Sequence, residues 1–94
     1  MGPTYRKSED VIARQIAGEV LLVPIRGDLA GMQRIFALDE VGECIWQQLD
    51  APTTLEAIRD AVLANFDVAE EQALADTQEF IAELLKAGLI VEGS

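Results

Sequence analysis

Between residues 10 and 38 the apolar positions come in short runs set off by glycine. From residue 39 onward they recur at intervals of three and four. The first pattern predicts strands. DVIARQIAG (10–18) is mixed but contains β-branched residues and stops at Gly18. VLLVPI (20–25) is a nearly continuous apolar run, as expected of a well-buried strand. Pro24 has no N–H to donate, so it belongs at the end of that strand or at a bulge. RGDLAGM (26–32) has the composition of a loop, and Arg26-Gly27-Asp28 reads as turn chemistry. QRIFAL (33–38) predicts a third strand, with Ile35 and Ala37 on one face and Phe36 and Leu38 on the other.

The second pattern predicts three helices, over about 40–50, 54–66 and 69–87. Asp39 can cap the first, and Glu40 and Glu43 put negative charge near its positive end. Val41, Ile45 and Leu49 form its apolar stripe, flanked by Cys44 and Trp46. Pro52, Thr53 and Glu56 carry a capping-box signal for the second, whose stripe is Leu55, Ile58, Val62 and Phe66. The third is expected to begin near Asp67, to bury a line through Leu74, Thr77, Ile81, Leu84 and Leu85, and to stop at Gly88. LIVE (89–92) is a short extended end. A three-stranded antiparallel sheet followed by three helices with short linkers is an α+β domain of the winged helix-turn-helix kind.

Composition narrows what such a domain can do. At 94 residues it is one domain with a single core. No apolar run reaches the length of about 18 residues that a membrane span needs, and there is no secretory signal pattern. One cysteine allows no intrachain disulfide, so a cytoplasmic location is the default expectation. The net charge of −10 is unevenly spread: residues 1–37 hold five basic and four acidic side chains, residues 38–94 two basic and thirteen acidic. As a DNA-reading helix, the third would set Glu70, Glu71, Asp76, Glu79 and Glu83 against phosphates with Lys86 alone opposing them. Nucleic acid is therefore disfavoured.

There is no histidine, hence neither the commonest general base nor the commonest metal ligand. No phosphate-binding glycine loop is present, and one cysteine cannot make a structural zinc site. Cys44 sits near Glu40 and Glu43, which oppose thiolate formation. The expectation is a protein that is not an enzyme and that uses no cofactor or metal.

LDEVGECIWQQLD (38–50), PTTLEAI (52–58) and DTQEFIAELLKAGLI (76–90), with EVLLVPI (19–25) ahead of them, resemble the coenzyme PQQ synthesis protein D family. The likeness spans nearly the whole chain in the right order. Asp39 stands where the family often has Asn, which caps equally well, and Ala51 where a Gly is common. The resemblance implies a winged-helix-like, non-catalytic module that binds the leader of a ribosomally made precursor peptide. Such modules present the leader to a modifying enzyme, a radical S-adenosylmethionine protein in the PQQ pathway. The chain would act as a monomer or weak homodimer.

The residues suggest how a peptide would be held. The strand at 33–38 would be an open edge to which an extended peptide can add. Arg34, Ile35, Phe36 and Ala37 on that strand, with Ala73, Asp76, Thr77, Phe80 and Glu83 on the third helix, are the candidate peptide-binding residues. Phe36 and Phe80 would take apolar leader side chains, and Asp76 and Glu83 would pair with a leader Lys or Arg. Two other readings stay open: a scaffold or regulatory module unconnected with precursor peptides, and, against its charge, a DNA-binding winged helix.

Overall fold

The computed structural model describes residues 2–25 and 36–93. The α+β architecture read from the sequence is the observed one, with an N-terminal three-stranded antiparallel sheet followed by three helices. The first sheet consists of β2 (Val11–Ile16), β3 (Glu19–Pro24) and β4 (Phe36–Leu38), in that order. Ala17 and Gly18, both at positive φ, link Ile16 to its partner Glu19, the two-residue turn whose twist suits a tight hairpin. Leu22 and Leu38 point inward and are buried, whereas Ala37, paired with Leu21, faces out. The loop expected at 26–32 and the beginning of the predicted third strand lie outside the described residues.

Helix α1 (Glu40–Gln48) follows directly, capped by Asp39, whose carboxylate accepts from the Gly42 N–H at 2.7 Å. Helix α2 (Leu55–Asn65) is capped by Thr54, not by Thr53 as the capping-box pattern suggested. Thr53 is instead drawn into a two-residue strand, β5 (Thr53–Thr54), opposite Tyr5, and this shifts the helix start by one residue. Helix α3 (Glu70–Lys86) starts after Ala69 with no side-chain cap; Glu70 and Glu71 in its first turn meet the dipole instead. Its end is a Schellman motif. Gly88, at φ 76°, donates to Leu85 and Leu89 donates to Leu84, while the side chains of Leu84 and Leu89 are both buried.

Of the second sheet, only one strand has a counterpart in the sequence reading, the extended end at 89–92. β1 (Thr4–Lys7) lies between β5 and β6 (Ile90–Gly93), antiparallel to both. β1 is tied further by Lys7 N–H to the Leu49 carbonyl and Ser8 N–H to the Leu89 carbonyl, each at 3.0 Å. The core lies where the first sheet and the helices meet: Leu22, Leu38, Ile45, Trp46, Leu49, Ile58, Val62, Ile81, Leu84 and Leu89. No helix of the described residues is long and apolar enough to cross a membrane.

Candidate functional site

β4 hydrogen-bonds β3 on one side, and no other strand of the described residues pairs with it. Its other side is an edge among the described residues, and a strand edge of this kind is where an extended chain can add. Alternation puts Phe36 on the same side as Leu38, half-buried against the core, with exposed Ala37 on the opposite side.

Helix α3 reaches the end of β4 through Gly42. A Cβ at Gly42 would lie 3.3 Å from Phe80 Cζ, 3.5 Å from Leu38 Cδ2 and 3.2 Å from Asp39 Oδ1. Phe80, Leu38 and the capping carboxylate thus converge on one bare point of α1. The missing side chain is what lets the Phe80 ring sit against α1 beside the strand. Leu38 and Phe80 meet there as an apolar wall, Leu38 buried and the ring half-buried, while Phe36 lies on the same side of β4 as Leu38 and is half-buried against the core.

Of the nine residues picked from the sequence, Arg34 and Ile35 lie outside the described residues. Phe36, Ala37, Asp76, Phe80 and Glu83 reach the surface. Asp76 and Glu83 stand about one helical turn either side of Phe80, and Asp76 accepts from Gln72 Nε2 at 2.8 Å. Ala73 and Thr77 are 1% and 0% exposed, so a peptide on the surface meets neither. The apolar line of α3 is centred on them, with Ile81 and Leu84 continuing it. The Thr77 hydroxyl is buried without a hydrogen-bond partner.

Two residues at this point, Leu38 and Gly42, were not selected from the sequence. A glycine three residues past a helix cap is itself a signal, because glycine weakens a helix unless close packing requires it.

Cys44 is half-buried, with its sulfur 3.9 Å from both the Ala61 carbonyl oxygen and Asn65 Nδ2. Burial pushes its thiol pKa up, which disfavours the nucleophilic thiolate. Among the described residues no three His, Cys, Asp or Glu side chains are grouped to hold a metal ion.

The solved structure of TbiB1 in complex with the TbiA(beta) leader peptide is similar to this chain. It has 28% sequence identity and a TM-score of 0.73, over 90% of this chain and 93% of TbiB1. A lasso peptide synthetase B1 complexed with its leader peptide has a similar fold, with 15% identity and a TM-score of 0.74, over 93% of this chain and 96% of the other. No curated protein matches the chain significantly. The family model for coenzyme PQQ synthesis protein D (PqqD) matches residues 18–90, from the β2–β3 turn to the first residue of β6. By that match the chain belongs to the PqqD family.

Proposed function

We propose that this chain is a non-catalytic module that captures the leader of a ribosomal precursor peptide and presents it to a modifying enzyme. The leader adds as a strand to the free edge of β4, and its apolar side chains lie against Phe36 and Phe80. Asp76 and Glu83 hold a leader cation. The edge of β4 beside Phe80, with which no strand of the described residues pairs, carries this reading. Family membership supports it, as does the likeness to TbiB1, a protein solved with a leader peptide bound. The enzyme served is a radical S-adenosylmethionine protein, as the PQQ pathway suggests, and the encounter takes place in the cytoplasm.

Magnitudes assign the work within the site. Three residues of strand edge offer about two to four backbone hydrogen bonds. Each is worth about 1 kcal/mol net, against about 8 kcal/mol for micromolar binding. Burying a large apolar side chain adds about 1.5–3 kcal/mol. The backbone therefore sets direction and register, and the aromatic wall supplies most of the affinity and selectivity.

Titration of isotope-labelled protein with the cognate leader tests this. Amide shifts at 36–38 and around Asp76, Phe80 and Glu83 are expected, together with slowed hydrogen exchange along β4. Shifts confined to another face, with β4 unmoved, would exclude strand addition here.

A further inference from the structure

The direction of the backbone hydrogen bonds in the first sheet can be followed from its hairpin to its open edge. In an antiparallel pair each residue turns its N–H and C=O to the same side, and that side alternates along the strand. Ala17 and Gly18 make a two-residue turn at positive φ, so Ile16 and Glu19, which close it, bond to each other. By alternation the pairs Arg14–Leu21 and Ile12–Val23 are bonded in the same way. One step past the ladder, the Ile25 N–H donates to the Asp10 carbonyl at 2.8 Å, as that alternation requires. Glu19, Leu21 and Val23 thus turn their backbone groups to β2.

Val20 and Leu22 turn theirs to β4, where their partners are Leu38 and Phe36. Those two residues of β4 have their N–H and C=O engaged with β3. Ala37 lies between them, opposite Leu21, and directs both its groups to the open side. The next residue facing that way is Asp39, whose carbonyl already accepts the Glu43 N–H at 2.8 Å at the start of α1. Within β4, Ala37 alone offers both a donor and an acceptor to an added strand.

Given strand addition at β4, as proposed above, we infer that Ala37 is the backbone contact that sets the register of the leader. Its carbonyl takes one leader N–H, and its own N–H is given to one leader carbonyl, whichever way the leader runs. Side-chain directions follow from the same alternation. The leader residue level with Ala37 faces out, beside Ala37 and its cross-strand neighbour Leu21. The leader residues before and after it face in, on the side of Phe36 and Leu38. The segment recognised therefore carries apolar side chains at alternate positions and is held to β4 through a single N–H of its own.

Hydrogen exchange tests this first in the full chain without ligand: the Ala37 amide is expected to exchange faster than those of Phe36 and Leu38. Adding the cognate leader should then slow Ala37 more than either neighbour. Cognate leader peptides N-methylated at one residue at a time should show one position that weakens binding about tenfold, with both flanking positions tolerant. Ala37→Pro removes an N–H from the open side and none from the ladder with β3, a place where an edge strand accepts proline. It should keep the wild-type melting temperature and bind the leader about fivefold more weakly. Slowing at Phe36 and Leu38 with Ala37 unchanged, two adjacent N-methyl positions equally damaging, or full affinity in A37P would each overturn this role of Ala37 and leave strand addition at β4 standing. Should A37P fail to fold, the exchange and N-methyl results with the wild-type chain decide alone. Alternation turns Ala13 and Gln15 to the side of β2 away from β3. Leader-induced slowing there, with 36–38 unmoved, would overturn strand addition at β4 itself.

Discussion

Trp46 is 4% exposed and packs α1 onto the core, and the Lys7 ammonium lies 4.8 Å from its ring centroid while also pairing with Asp50. Trp46→Ala should cost about 3–5 kcal/mol, read by denaturant unfolding, because the cavity lies among residues that cannot collapse. Cys44→Ala, by contrast, should leave leader affinity unchanged, since the sulfur faces Ala61 and Asn65 and not β4. The thiol has its own signature. Burial raises its pKa, so the folded protein keeps the proton to higher pH than the unfolded chain does. That stability is complete below the ordinary thiol range of about 8.5 and is lost as pH rises through the folded value. Alkylation by iodoacetamide near that pH should accordingly be slower in the folded protein than in urea; equal rates would mean an unprotected sulfur. Thr77 offers a gain. Its hydroxyl is buried without a partner, and Thr77→Val keeps the shape and removes that group. Unfolding should become harder by about 1 kcal/mol.

At the scale of elements, Gly42 links packing to the proposed site. Gly42→Ala would improve helix propensity by about 1 kcal/mol, but its Cβ would press on Phe80 Cζ and on Asp39 Oδ1, the atom that caps α1. The ring is half-buried and can turn away. Stability should therefore change little while leader affinity falls, a split that calorimetry with and without leader would show. An unchanged affinity would mean that Phe80 need not sit where it does. These same elements show what could be read from sequence and what could not. The α+β class was legible because β3 and the helices carry their own periodicity, and Asp39 announces α1 with a local cap. The start of α2 was misplaced by one residue because Thr53 belongs to a ladder with Tyr5, a partner 48 positions away. For the same reason β1 was missed. TYRK has no apolar run, and its strand character comes from β5 and β6 on either side. For the proposed site, Phe36 and Phe80 were picked as aromatic residues of the third predicted strand and the third helix. Helical spacing already puts Thr77 on the buried line of α3, although it was also picked for peptide binding; that Ala73 joins it in the core depends on how α3 is rotated against its neighbours, which spacing alone left ambiguous by one shoulder.

For the whole molecule the governing quantity is a net charge of −10, concentrated after residue 37. Much of it is solvated: Arg59 is bonded to Asp60 at 3.0 Å and approaches Glu70 at 4.0 Å, but among the described residues many helix carboxylates have no lysine or arginine within ion-pair distance. Such a field draws in any cationic segment and weakens as salt shortens the Debye length from about 10 Å at 0.1 M to about 3 Å at 1 M. A field acting on the whole leader and a specific pair at Asp76 or Glu83 both make binding salt-sensitive, so salt dependence alone does not separate them; variants do. D76N/E83Q removes two charges beside Phe80 and should lower leader affinity at low salt by about tenfold, with the difference shrinking toward none at 1 M. E70Q/E71Q removes two charges at the far end of the same helix and should have a much smaller effect at every salt concentration. Phe80→Ala should weaken binding by a factor that salt does not change, because it removes apolar burial and no charge. If both charge pairs reduced affinity equally, the acidity of α3 would act as a diffuse field, and Asp76 and Glu83 would lose their place in the site while Phe80 kept its own.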